Sequence, residues 1–224
     1  MISIVIPAYN EEQNILELFN KINVVMKRYK YDHEIIFVDD GSIDNTLSIM
    51  NSIKDKNVKV TSKPHTGKGQ SLMQGFKMAT GDIIITLDAD LQDDPEEIPN
   101  FINKILDGYD LVVGWKYKRR DPIYKVLRSK LFNLLTNILT GINLHDSNCG
   151  FKAYRSQVTK SLNIDKGYYR YIPSIVHWKG YKITEIKVRH HKRLYGKSKY
   201  GFSKIFSAFF DLIKLYINKD KFQR

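Results

Sequence analysis

The first half of the chain alternates between two periodicities, and this restricts its fold more than any other feature. Short β-branched runs at Ile2 to Pro7, Glu34 to Asp39 and Val58 to Ser62 are each followed by an amphipathic stretch, at Glu12 to Arg28, Asn45 to Lys54 and Lys68 to Ala79. A period near 2 marks a strand and one near 3.6 a helix, so the alternation specifies successive strand–helix–strand units. Asp82 to Asp88 reads as a further strand and Pro95 to Leu106 as a helix with proline in its first turn, where a missing N–H costs nothing. Leu111 to Val113 reads as another strand. Strands joined through crossover helices run parallel. The expected fold class is therefore α/β, with a Rossmann-like, mostly parallel central sheet flanked by helices.

Polar clusters fall at the carboxyl ends of three of these strands: Pro7-Ala8-Tyr9-Asn10-Glu11, Asp39-Asp40-Gly41-Ser42 and Asp88-Ala89-Asp90. Any one of them reads as turn chemistry. Three on one sheet edge, two with paired acids, point to a binding edge, because ligands of open α/β sheets sit there. Asp88 and Asp90 follow the apolar run Ile83 to Leu87 directly, and two neighbouring carboxylates repel. A divalent cation relieves that repulsion. Mg²⁺ or Mn²⁺ prefers oxygen ligands and takes one or two carboxylates plus phosphate oxygens. Gln92 adds a carbonyl, so Asp88, Asp90 and Gln92 are the candidate metal ligands.

Lys and Arg outnumber Asp and Glu by 36 to 24, a net charge of +12, which favours an anionic partner: nucleic acid, anionic lipid or a phosphorylated substrate. The excess is local. Lys116, Lys118, Arg119, Arg120, Lys125, Arg128 and Lys130 share one stretch, and a second group runs from Lys187 to Lys199. Acids at the sheet edge argue against nucleic acid. With 224 residues and 42% hydrophobic content the chain can bury a full core as one domain with an appended arm. A single cysteine, Cys149, forms no internal disulfide, and Met1 runs straight into Ile2-Ser3-Ile4-Val5-Ile6 with no leader. No apolar run reaches the roughly 20 residues of a membrane-spanning helix. A cytoplasmic, non-integral protein is the expectation.

Beyond Tyr117, Val126 to Leu139 reads as a basic amphipathic helix, with apolar residues at 127, 131, 134, 135 and 138 and with Asn133 and Asn137 elsewhere. In Phe202 to Ile217 the residues Lys204, Ser207, Asp211, Lys214 and Asn218 form one polar stripe on a Phe-rich helix. Such a helix either docks on the core or lies in a membrane interface. His190 and His191 have no second ligand pair at useful spacing and read as solvent-facing strand residues.

The segments Ile6 to Glu11, Val38 to Ser42 and Asp88 to Gln92 together resemble glycosyltransferase family 2. Gly67-Lys68-Gly69 with Gly75, Ala79 to Asp82, and Asp146 to Lys152 extend the resemblance. Arg170 to Pro173 and Arg193 to Tyr200 are similar to its polyprenyl-phosphate branch, which includes dolichol-phosphate mannose synthase and bactoprenol glucosyltransferases. The resemblance implies a GT-A domain over 1–224: a nucleotide-sugar half at 1–114, an acceptor half at 115–201, and an amphipathic interfacial arm at 202–224. It implies that Pro7, Tyr9, Asn10, Glu11, Val38, Asp39 and Asp40 surround the base and ribose, that Lys68, Asp88 and Ala89 belong to the donor site, and that Asp90 and Gln92 bind the bridging metal. Lys116 and Arg128 would meet the acceptor phosphate, and Arg193 and Lys199 the departing diphosphate.

The implied reaction is inverting, metal-dependent transfer of a hexose from a GDP-mannose or UDP-glucose type donor to polyprenyl or dolichyl phosphate at the cytoplasmic membrane face. A peripheral docking mode, with a membrane surface or membrane subunit as partner, goes with it. Chemistry supports this set of residues. Breaking a sugar–diphosphate bond builds negative charge that a metal and cations stabilise. A phosphate monoester, with a second pKa of about 6, is already ionised and needs only positioning, whereas a sugar hydroxyl needs a base. In the alternative, transfer to a sugar hydroxyl in surface polysaccharide synthesis, Asp146 would be that base; otherwise it orients a neighbouring cation. Lys116 and Lys152 stand where the branch usually carries Arg, and Cys149 where it usually carries Ser, which marks a small buried side chain and not a nucleophile.

Overall fold

A computed structural model describes residues 1–117, 123–164, 167–195 and 203–222, without the side chains of 123–128 and 203–207. Lys118, Arg119, Arg120, Lys197 and Lys199, and the side chains of Lys125, Arg128, Lys204 and Ser207, therefore lie outside the described residues.

The strands are β1 (Ile2–Ala8), β2 (His33–Asp39), β3 (Val58–Ser62), β4 (Ile83–Thr86), β5 (Leu111–Lys116), β6 (Lys152–Arg155) and β7 (Ile183–Val188). The helices are α1 (Ile15–Arg28), α2 (Thr46–Ser52), α3 (Lys68–Met78), α4 (Ile98–Leu106), α5 (Ile123–Thr140), α6 (Ser156–Ser161), α7 (Ile172–Trp178) and α8 (Ser203–Ile217). Among the described residues the strands form one sheet in the order β3-β2-β1-β4-β6-β5-β7. All neighbours are parallel except β6, which runs antiparallel to both β4 and β5. The mostly parallel α/β sheet expected from the sequence is present, and its GT-A-like layering of helices on both faces explains why Ile4, Val5 and Ile6 are all fully buried.

Local chemistry sets the boundaries. The expected helix at Pro95 to Leu106 begins as a 3-10 turn at Pro95–Glu97, capped by Asp94, whose carboxylate accepts from Glu96 N at 3.0 Å. Pro99 has no N–H to return to the Pro95 carbonyl, so the first turn closes through Ile98 instead. Asp82 to Asp88 shortens to Ile83–Thr86, the residues that β6 pairs.

Two expectations are corrected. Helix α5 buries part of its polar side: Asn133 and Thr136 are buried, and Asn133 Nδ2 and Asn137 Nδ2 donate to the His145 and Leu144 carbonyls at 2.7 and 2.9 Å. Leu131, Leu134 and Ile138 face outward. The amides satisfy backbone groups of the 144–145 loop that would otherwise be buried unpaired, and this need overrides simple amphipathicity. His190 is also not solvent-facing. It is 8% exposed and forms an antiparallel bridge with Asp93 beyond the end of β7. Helix α8 docks on the core along one face. Leu212 and Leu215 are buried and Tyr171 Oη donates to the Ala208 carbonyl, while Phe209, Phe210, Ile213, Tyr216 and Ile217 remain exposed.

Glu34 gives the sheet a pH-dependent clamp. Its carboxylate, 5% exposed, accepts from Ser3 Oγ (2.6 Å), Thr80 N (2.7 Å) and Thr80 Oγ1 (2.8 Å) and pairs with Lys59 (2.5 Å). Burial alone would raise its pKa, but these donors hold it at about 2. A depressed acid stabilises the fold above its unfolded pKa of about 4.3 and loses that contribution as pH falls towards 2. Glu34→Gln should therefore cost about 2–3 kcal/mol at pH 7, with a difference that shrinks steadily below pH 4, as read by denaturant melts across pH.

Candidate active site

Parallel pairing brings the strand ends into register, with Ala8 beside Asp39 and β4 on the other side of β1. Asp40 is the organiser of the first corner. Its carboxylate accepts from Thr66 N (3.1 Å) and Gly67 N (2.9 Å), pairs with Lys63, and lies 2.9 Å from His65 Nδ1. Burial opposes its ionisation, yet Lys63 and the backbone donors hold its pKa below the usual range. The loop after β3 is thereby folded over the end of β1, and the His65 ring stacks on Tyr9 at 4.2 Å between centroids. This pair presents a flat aromatic surface at one end of a cavity of about 500 Å³.

The cavity's centre holds Asp88 and Asp90. Lys68, the first residue of α3, pairs with Asp88. Arg193 pairs with Asp90 and lies 3.7 Å from Glu11. Burial and the adjacent Asp88 charge push the Asp90 carboxyl up to about 6. For Asp88 burial is outweighed by Lys68 and then Lys116, and its pKa falls. The two acids thus compete, each needing positive charge. Space for Asp88 comes from the turn before β6: a Cβ on Gly150 would sit 2.6 Å from Asp88 Oδ2.

Arg193 reaches this point because the chain beyond β7 is clipped to the loop after β4. His191 N donates to the Gln92 carbonyl (2.9 Å), Gln92 Nε2 donates to the His191 carbonyl (3.3 Å), and Arg189 Nε donates to Glu97 (2.8 Å).

Of the residues singled out from sequence, Pro7, Tyr9, Glu11, Asp40, Lys68, Asp88, Ala89, Asp90 and Arg193 line the cavity. Others support it from behind. Val38 is buried in the core, and Asp39 accepts from Ser42 N (3.2 Å) and Ser62 Oγ (2.8 Å). Asn10, at φ 52°, accepts from Ile43 N at 2.9 Å. The Gln92 amide is engaged by His191 and does not line the cavity. Lys116 turns inward, its Nζ 3.2 Å from buried Asp93, and its pKa is raised: burial opposes, but Asp93 leads the attraction. Asp146, 1% exposed, lies near Lys116 and Lys152 beneath the site. Lys152 Nζ donates to the Cys149 carbonyl, and burial, followed by other neighbours including Lys68, lowers its pKa to about 8. Burial raises the Cys149 thiol to about 12, which leaves no thiolate near neutral pH. The Arg128 side chain and Lys199 lie outside the described residues. His65, Tyr169, Arg170 and Asp211 were not singled out as cavity residues from the sequence, yet they line it. Only the aromatic and charged character of the Tyr169-Arg170 pair could have pointed there.

An open, mostly parallel sheet with paired carboxylates at its carboxyl edge and helices on both faces defines the GT-A class of nucleotide-binding folds. The sequence profile of Glycosyl transferase family 2 matches residues 3–162, and the chain belongs to that family. Among its curated relatives are proteins named undecaprenyl-phosphate 4-deoxy-4-formamido-L-arabinose transferase. The one from Pseudomonas fluorescens (strain SBW25) is 35% identical over 216 residues, covering 95% of this chain and 63% of the relative. That from Shewanella sediminis is 36% identical, covering 95% of this chain and 65% of the relative. The chain thus spans just under two thirds of these proteins' length. Among solved structures, glucosyl-3-phosphoglycerate synthase from Mycobacterium tuberculosis, in complex with Mn²⁺ and UDP-glucose, superposes with a TM-score of 0.74 at 19% identity, over 98% of this chain and 78% of that one.

Proposed function

We propose that this chain transfers a glycosyl group from a UDP- or GDP-linked sugar to a polyprenyl phosphate, with inversion, at a membrane surface. The observation that carries the reading is the cavity's ordered chemistry, an aromatic stack at one end and an acid pair flanked by Lys68 and Arg193 at its centre. The base would lie on the flat surface of the Tyr9–His65 stack, and Asp40, whose charge is held in place by Lys63, would sit beside it.

The acid pair fits a divalent cation. Asp90, raised to about 6 by burial and then by Asp88, gains most from added positive charge. Two neighbouring carboxylates suit Mg²⁺ or Mn²⁺, which takes one or two of them and completes its shell with phosphate and water oxygens. Asp88 and Asp90 would hold the cation, which when bound would offset charge on the diphosphate. Lys68 and Arg193 would then turn from the carboxylates to the diphosphate oxygens, stabilising the leaving group.

The acceptor phosphate needs no base, and Asp146 is buried outside the cavity, which favours a phosphate acceptor over a sugar hydroxyl. The names of the undecaprenyl-phosphate relatives support the same acceptor. No helix among the described residues is long and apolar enough to cross a membrane. The outward residues of α5 and α8, Leu131, Leu134, Ile138, Phe209, Phe210 and Ile217, would serve peripheral docking.

A panel of UDP, GDP and their glucose and mannose conjugates, with and without Mn²⁺, checks the donor half. A cognate ligand at a hundred times its Kd should stabilise the fold by about 3 kcal/mol, and more with Mn²⁺ than without. Transfer to undecaprenyl phosphate in vesicles checks the acceptor half. Failure of every nucleotide to stabilise the chain, or transfer to sugar hydroxyls alone, would sink the reading.

A further inference from the structure

Helix α8 sends one carboxylate into the cavity. Asp211 is half-buried and lines the cavity wall with Gly167, Tyr169 and Arg170, although the same helix exposes Phe209, Phe210 and Ile213. The wall is shaped around that carboxylate. Gly167 has φ 95°, and a Cβ there would lie 2.8 Å from Asp211 Oδ2, so glycine both adopts the turn and leaves the space. Lys68 connects this wall to the acid pair: it pairs with Asp88, and its Nζ lies 5.9 Å from the centroid of the Tyr169 ring.

If the base lies on Tyr9 and His65, and the diphosphate lies by Lys68 and Arg193, the part of the donor beyond the diphosphate reaches Tyr169 and Asp211. That part is the sugar. We infer that Asp211 recognises the donor's glycosyl group, accepting hydrogen bonds from its hydroxyls while the sugar's apolar face rests on Tyr169. This rests on the donor reading above. Hydroxyl donors to a carboxylate form charge-assisted bonds, and an aromatic face suits the C–H side of a pyranose or pentose ring. Arg170 on the same wall offsets the Asp211 charge, so the wall offers an acceptor phosphate little net attraction, whereas a sugar hydroxyl can donate to the carboxylate. A site built to bond a hydroxyl discriminates strongly against analogues that lack it, so Asp211 is a specificity residue.

The test compares binding of nucleotide diphosphates with binding of their sugar conjugates, in the presence of Mn²⁺, for the unaltered chain, Asp211→Ala and Asp211→Asn. Asp211→Ala should weaken the cognate nucleotide sugar about tenfold or more, with the bare diphosphate changed less than twofold. Asp211→Asn, which keeps one acceptor oxygen, should fall between. Equal weakening of diphosphate and conjugate, or no change in either, would overturn the inference while leaving the donor reading intact. If the unaltered chain binds no nucleotide, the donor reading itself fails and this inference falls with it.

Discussion

Asp90→Ala should fold normally yet reduce sugar transfer by roughly a hundredfold to a thousandfold or more, the loss that follows removal of one preorganised group stabilising developing charge. Asp90→Asn should lose nearly as much, because an amide is a poor substitute for a carboxylate facing a hard cation. Stability should move the other way. Burial and Asp88 hold the Asp90 carboxyl at about 6, above its unfolded value of about 3.9. The folded chain therefore takes up a proton more readily than the unfolded one. In the ligand-free protein this group favours folding as pH drops from 7 towards 4, and its ionised form costs stability above about pH 6. Asp90→Asn should thus melt no lower than the unaltered chain at pH 7, and its stability should vary less between pH 5 and 7. Full transfer activity in Asp90→Ala would remove the basis for the proposed chemistry. A large drop in melting temperature in Asp90→Asn would mean that the Arg193 pair outweighs the repulsion from Asp88.

The second large effect concerns the floor. Lys116 and Asp93 face each other at 3.2 Å with side-chain exposures of 14% and 1%. Removing one member of a buried pair strands the other, at a cost of about 3–5 kcal/mol. Lys116→Met should therefore lower the melting temperature by about 10 °C, while Lys116→Met combined with Asp93→Asn should recover much of the loss, since the stranded charge is gone. Additive losses in the double variant, or a Lys116→Met cost below about 1 kcal/mol, would show that the pair is not coupled as its geometry requires.

Much of the first half was legible because period and strand-end chemistry act locally. The run Ile83 to Leu87 followed by two acids announces a strand delivering carboxylates to the sheet edge, and α1 buries the apolar stripe of Ile15, Leu18, Ile22 and Val25 that its spacing implies. The second half was less legible, since its geometry depends on partners far away in sequence. Lys152–Arg155 is only four residues long and becomes a strand because β4 and β5 flank it. The burial of Asn133 and Thr136 follows from the needs of the 144–145 loop, which no helical periodicity encodes. Likewise, Lys116 reads as a surface cation until Asp93 is seen beneath it. The stack of His65 on Tyr9 depends on Asp40 gripping the loop after β3, a tertiary contact across 25 residues.

The close approach of Gly150 to Asp88 carries a consequence for anyone altering this molecule. Asn148, two positions away, points outward and should accept a wide range of replacements. At 150 even one methyl group would drive the Asp88 carboxylate from its seat, since the intruding carbon would stand 2.6–2.7 Å from three of its atoms. The position of the Asp88 carboxylate in the cavity is therefore set by a hydrogen atom on the opposing backbone, and any larger residue at 150 requires that side chain to rotate away first.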